Sequence, residues 1–152
     1  MMIQLRPLFN LSARVDTPIE LGSDLFGRHR RIVKILGGSF AGARLRGSIQ
    51  EVGADWQSIR PDGTAELDIR CVLETNDGAL IDFRGIGLRH GPPEVFKRIS
   101  EGETVDPSSY YFREIIRFET SAPAYDWMTR IFSVAAGTRL KNDVHLDVFE
   151  VL

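Results

Sequence analysis

Apolar and polar residues alternate with a period of two along most of this chain, the pattern of strands with one buried face and one polar face. The clearest stretch is Gly53 to Arg89. There Ala65, Leu67, Ile69, Cys71 and Leu73 share one side of a strand, and Glu66, Asp68, Arg70 and Glu74 share the other. Pro61-Asp62-Gly63 and Asn76-Asp77-Gly78 flank it. Such Asp-Gly pairs tolerate the backbone angles of tight hairpins, so the stretch reads as a β-meander. Upstream, Leu5 to Val15 reads as a strand with Pro7 near its start, and Thr17 to Gly27 reads as a connection. Ile32 to Leu36 is a strand, and the pattern continues through a glycine-rich segment to Glu51. Glycines inside a strand pattern mark bulges or bends, so Gly37, Gly38, Gly42 and Gly47 read as places where a sheet curves.

Asp55-Trp56 opens the next strand, and Ala79 to Leu88 forms another. The one convincing helix follows Pro92-Pro93, with Val95, Phe96 and Ile99 as its apolar stripe and Gly102 at its end. Tyr110 to Thr120 is the longest aromatic and β-branched run, with Tyr111, Arg113, Ile115, Arg117 and Glu119 on one face and Phe112, Ile116, Phe118 and Thr120 on the other. Tyr125-Asp126-Trp127 reads as a helical turn, and Arg130 to Leu140 with Val144 to Val151 as a last hairpin. About nine strands, one short helix and regular turns predict a single all-β domain over residues 1–152, a closed antiparallel barrel in preference to a sandwich.

Composition narrows the function classes. The chain is 43% hydrophobic and 26% charged, with a net charge of -2, which gives no electrostatic reason to expect nucleic acid or an anionic membrane. The basic run Arg28-His29-Arg30-Arg31 is therefore read as paired with carboxylates or solvated. One cysteine, Cys71, excludes an internal disulfide, and its place in an apolar row suggests a small buried hydrophobe. The N-terminus lacks the apolar segment of a secretion signal and no apolar run approaches membrane-spanning length, so a cytoplasmic location is expected. His29, His90 and His145 show no ligand-pair spacing, and no metal or other cofactor is expected. Ser39 lacks the strand–turn–helix setting of a nucleophile elbow, and the glycine-rich segment lacks the Gly-Lys-Ser/Thr of a phosphate loop.

Several motifs together resemble a known family. They are Gly37-Gly38-x-Phe40-x-Gly42, Gly53-Ala54-Asp55-Trp56, Asp62-Gly63 and Leu67-Asp68-x-Arg70. Arg89-His90-Gly91-Pro92, Asp106-Pro107-x-x-Tyr110-Tyr111-Phe112-Arg113, Phe118-Glu119-Thr120 and Trp127 extend the match over nearly the whole chain. The family is domain-of-unknown-function family 3237, also called uncharacterised protein family 0311, of small bacterial and fungal proteins. The resemblance implies a β-barrel of lipocalin or allene-oxide-cyclase type and no established general activity. Cys71 and Phe149 stand where the resemblance leads one to expect tyrosine.

A charged strand face means solvent on a surface and a polar lining inside a barrel. With the second arrangement, Asp55, Arg70 and Arg113 are the candidate catalytic residues, and Trp56, Asp68, Arg117, Glu119 and Trp127 the candidate substrate-binding residues. A carboxylate beside an aromatic ring can act as a general acid or base, and arginine can hold an enolate or carboxylate. The chemistry open to such a set, without cofactor, is isomerisation, cyclisation or elimination on a small carbonyl or aromatic compound. With the first arrangement, Asp68 and Arg70 form a surface ladder, while Asp55 caps a turn and Trp56 plugs a barrel end. A carrier for a small hydrophobic or aromatic acid, or a filled structural barrel, is then the reading. The long strands also make a homodimer an expectation.

Overall fold

The computed structural model describes all of residues 1–152. Nine strands form one antiparallel sheet: β1 (Leu5–Val15), β2 (Ile19–Ser23), β3 (His29–Ala41), β4 (Arg46–Ile59), β5 (Ala65–Thr75), β6 (Leu80–His90), β7 (Tyr111–Glu119), β8 (Ser133–Arg139) and β9 (Asp143–Val151). The order is β1-β9-β8-β7-β6-β5-β4-β3-β2, and β1 pairs additionally with β3. That extra pairing closes the sheet into the expected barrel. Eight strands make the wall, and β2, in a segment expected to be a connection, adds a short flap beside the first half of β3. The one α-helix, α1 (Pro93–Ser100), lies between β6 and β7, with a proline at its start where no N–H is needed.

Closure depends on a bend in β3. Its first half, His29 to Ile32, pairs with β2, while Ile35 to Ala41 pairs with β1. The change of partner falls between Ile32 and Ile35, and just beyond it the register with β1 shifts before Gly37 and Gly38, whose φ angles are 120° and 149°. Gly38 also lies so close to β1 that a Cβ would sit 2.0 Å from the Ser12 carbonyl oxygen. β4 bends in concert. Ile49 faces Leu73 and Gly53 faces Cys71, so four positions on β4 span two on β5. This wide bulge ends at Gly53, which has φ 99° and no room for a side chain against the Arg70 carbonyl. The Gly-Ala-Asp-Trp motif is thus the restart of the ladder after a bulge, and it sends Asp55 and Gln57 inward and Trp56 outward.

The apolar rows face in. Leu11, Ile35, Ile49, Ile69, Leu73, Ile81, Phe83, Phe112, Ile116, Phe118, Leu146 and Val148 fill one continuous core. Phe9, Phe40, Phe83 and Phe118 stack edge-on or tilted, with centroids 5.3–6.0 Å apart, and close one end. That end is sealed further by a 3-10 turn (Pro123–Arg130), whose Met128 is fully buried. Tyr125 of this turn donates to Asp77 of the β5–β6 hairpin at 3.0 Å. Glu150, nearly buried, accepts from Arg6 and Arg44 at 2.7 Å each, and Arg44 stacks 3.8 Å above Trp127. The opposite end carries α1 and stays open.

The two kinds of turn glycine separate in stability. Gly78→Ala meets no atom within 4 Å and carries only the strain of φ 87°, about 1–2 kcal/mol. Gly53→Ala adds a backbone clash and is expected to lose at least ~1 kcal/mol more in urea unfolding. Equal losses would show that the bulge does not constrain the ladder.

Candidate functional site

Strand alternation decides which charges enter the barrel. On β5 the inward row is Leu67, Ile69, Cys71 and Leu73, so Asp68 and Arg70 face solvent, 4.0 Å apart. On β7 the inward row is Phe112, Glu114, Ile116 and Phe118, so Arg113, Arg117 and Glu119 face outward. The lumenal placement considered for these five residues is therefore not what the chain adopts. Burying isolated charges is far costlier than burying the apolar rows beside them. Trp56 is 40% exposed on the outer surface. It shares a groove there with Asp68, Arg113, Ile86, Tyr111 and Ile115. Trp127 lies at the sealed end beneath Arg44. Of the residues singled out from the sequence, Asp55 alone reaches the lumen. Cys71 is lumenal too and buried, with its thiol pushed up to about 12 by burial, so it stays a protonated, inert filler at neutral pH. Phe149 lines the outer groove.

The lumen nevertheless holds a polar cluster. Asp55 accepts a hydrogen bond from Gln57 Nε2 at 2.7 Å and from the backbone N–H of Asp68 at 3.0 Å. Gln57 in turn accepts from Arg31 Nε at 2.7 Å. Burial raises the Asp55 pKa, with the Gln57 bond, Arg89 and Arg31 working against it. Glu114 is 3% exposed, and its Oε2 has no hydrogen-bond partner. Gly85 and Gly87 on β6 leave it space, since a Cβ on either would lie 2.9–3.0 Å from its side chain. Burial, reinforced by the nearby Asp55 carboxylate and opposed by Arg89, pushes the Glu114 pKa up to about 8. At neutral pH this carboxyl is mostly protonated, a hydrogen-bond donor in an apolar wall.

Arg89 faces these carboxyls. It is 8% exposed, and its guanidinium lies 5.6 Å from the Phe96 ring centroid and 5.7 Å from that of Phe112, with no hydrogen bond or ion pair to any protein group. Burial, then Arg139 and Arg31 nearby, lowers its pKa to about 10, so it remains charged at neutral pH. Arg139 donates to the Asp143 carbonyl at 3.2 Å, and its own backbone N–H donates to the Tyr110 hydroxyl.

Two neighbouring spaces share Arg89 and Arg139 in their walls. The deep one, bounded by Asp55, Gln57, Glu114 and apolar side chains, has a volume of about 50 Å³, room for a few waters or for one small end group of a ligand seated in the mouth. The outer one is a mouth of about 480 Å³ between α1, the β1–β2 loop and the β8–β9 loop. Phe96, Ile99, Ile59 and Leu140 line its walls, and Arg31, Arg89, Arg139 and Lys141 give it a positive lining. No cluster of three metal-ligating side chains forms anywhere in the chain.

Glu114, Arg89, Arg31, Arg139 and Gln57 are the lumenal polar residues that sequence reasoning missed. Glu114 carried a signal: it is the one charge in the apolar row Phe112, Ile116, Phe118. Arg89 likewise ends the inward row Ile81, Phe83, Gly85, Gly87. For Arg31 the alternation within β3 was masked by three neighbouring basic residues, of which Arg28 pairs with Glu66 and His29 with Glu20.

The Glu114 proton leaves a thermodynamic mark. The folded pKa lies above the unfolded one, so the folded state holds more protons between the ordinary value of 4.5 and about 8. The residue's contribution to stability therefore falls as pH rises through that window. Glu114→Gln removes this fall. Its melting temperature relative to wild type is expected to climb from pH 5 to about pH 8 and to level off above that. A constant difference would mean an ordinary carboxylate at position 114.

Comparison with known proteins extends these observations. Residues 3–151 match the family described as "Protein of unknown function (DUF3237)". A UPF0311 protein of Rhodopseudomonas palustris is 37% identical over 150 residues, covering 99% of this chain and 97% of its own. The crystal structure of the conserved R. palustris protein of unknown function superposes with a TM-score of 0.93 at 36% identity, covering 100% and 99% of the two chains. A β-barrel-like protein of Acinetobacter baumannii gives 0.87 at 40% identity, covering 100% and 98%. An enzyme from Penicillium herquei gives 0.72 at 17% identity over 99% and 95%, a likeness of fold alone. The nearly complete match to one family and the shared barrel agree, and the chain belongs to the DUF3237/UPF0311 family of small β-barrel proteins.

Proposed function

We propose that this barrel binds a small carbonyl compound at the inner end of its mouth and moves a proton on it without a cofactor. The observation that carries the reading is the pairing of two dissimilar buried carboxyls. Asp55 has hydrogen-bond donors on both oxygens, whereas Glu114 has an unpartnered oxygen and is held protonated. Burial raises both carboxyls, but at Asp55 the hydrogen bonds and arginines oppose the rise, which sets Asp55 up as the base and Glu114 as the acid.

The reaction class is enolisation. The Asp55 carboxylate takes a proton from the carbon next to the carbonyl, and the C–H electron pair becomes the C=C bond of the enol. Glu114 gives its proton to the carbonyl oxygen, and Arg89 lies beside both groups to stabilise the negative charge that develops there. Return of the Asp55 proton to that carbon, as the enol O–H proton goes back to Glu114, restores the carbonyl and both carboxyls and exchanges the hydrogen. In a conjugated enol, delivery to the far end of the conjugated system completes a double-bond isomerisation. Gln57, held by Arg31, keeps Asp55 oriented and is a positioning residue. A carrier without chemistry is the competing reading, and the 480 Å³ mouth suits it equally in size.

Exchange of protons next to a carbonyl separates the two. In D₂O, ¹H NMR with phenylpyruvate and with acetophenone is expected to show exchange accelerated by the wild-type protein over buffer. Asp55→Asn and Glu114→Gln are each expected to reduce that acceleration by about 10²-fold. Binding of both compounds with no accelerated exchange contradicts the catalytic reading and leaves the carrier.

A further inference from the structure

Arg89 is a charged side chain buried in a folded protein with none of its five N–H donors bonded to the protein. Its nitrogens stay in contact with the mouth, where water satisfies them until the acceptor of a ligand takes its place. Neither carboxyl nearby satisfies them: Asp55 is engaged by Gln57 and the Asp68 backbone, and no ion pair joins Arg89 to Glu114. The other cations of the mouth are partly engaged, Arg31 with Gln57 and Arg139 with the Asp143 carbonyl. Arg89 lines both the mouth and the deep cavity.

From this we infer that the ligand of this barrel is a monocarboxylic acid with an apolar, preferentially aromatic body, bound with its carboxylate in a two-point hydrogen bond to Arg89. One planar fork with free donors matches one planar carboxylate. The flanking charges favour an anion: Arg31, Arg139 and Lys141 line the same mouth against Asp16 at its rim and Asp55 beneath. The body then lies outward between Phe96, Ile99, Ile59 and Leu140, the apolar walls of the mouth. A carboxylate on Arg89 leaves the adjacent carbon nearest the deep cavity, where Asp55 and Glu114 stand. The inference rests on the preceding section for the place of binding and not for the chemistry performed there.

Isothermal titration with phenylacetate, its amide isostere phenylacetamide and inorganic phosphate tests it. The wild type is expected to bind phenylacetate at least tenfold more tightly than phenylacetamide, and phosphate at millimolar concentration is expected not to displace it. Arg89→Gln is expected to abolish the preference, whereas Arg70→Gln on the outer wall keeps it. As a check independent of any variant's folding, the assigned Arg89 Nε–H resonance of the wild type is expected to shift on saturation with phenylacetate. Equal affinity for acid and amide, binding of neither, displacement by phosphate or an unmoved Arg89 resonance overturns the inference. Selective binding of phenylacetate without proton exchange on either carbonyl compound would leave this inference standing and defeat the enolisation reading alone. Exchange on neutral acetophenone with no preference for acids would do the reverse.

Discussion

The ladder between β1 and the second half of β3 turns a nine-stranded sheet into a closed wall, and closure is what gives the chain an inside. An open sheet of this composition would expose both faces to water, and a carboxyl such as Glu114 would titrate normally. Once β1 docks, alternate residues of eight strands converge, and their chemistry is set by burial. The dock needs two adjacent glycines, because β3 takes positive φ angles there and approaches β1 closely enough that a Cβ at Gly38 would overlap the Ser12 carbonyl. β4 follows the same bend through the bulge that ends at Gly53.

Inside, the barrel divides along its length. Toward the 3-10 turn it is an aromatic core with no space for a ligand. Toward α1 the glycines Gly85 and Gly87 thin the wall of β6, and the residues across from them are Ile116 and Glu114. Gly137 serves Phe112 in the same way, since a Cβ there would lie 2.5 Å from the ring. The glycines thus make room for one buried carboxyl and one aromatic ring under Arg89. The polar cluster rests on the core and faces the mouth, an arrangement that water fills in the absence of a ligand.

The fold was legible in the sequence because the wall strands are amphipathic and the β4–β5 and β5–β6 hairpins carry Asp-Gly turns. β2 escaped, since all five of its residues are exposed and nothing in Ile19-Glu20-Leu21-Gly22-Ser23 alternates between core and solvent. Of the candidate site, only Asp55 was legible. Runs of alternating charge, such as Asp68 with Arg70 or Arg113 with Arg117, draw attention but belong to the solvated face. The informative positions were the reverse: single charges interrupting an apolar row, as Glu114 and Arg89 do. Their partners come from strands distant in sequence, so no local spacing announces the cluster. Both tryptophans lie outside the mouth, one on the outer wall and one at the sealed end, and neither reports on a ligand bound there.

The central claim is that the barrel holds the Glu114 carboxyl protonated at neutral pH opposite a charged Arg89. The most direct measurement is a pH titration of the ¹³C side-chain carboxyl resonance of Glu114, assigned by its absence in Glu114→Gln. The account predicts a midpoint near 8, far above the ordinary 4.5 of a glutamic acid. A midpoint near 4.5 would make Glu114 an ordinary carboxylate ion-paired or hydrated within the lumen. That result would remove the acid from the proposed acid–base pair.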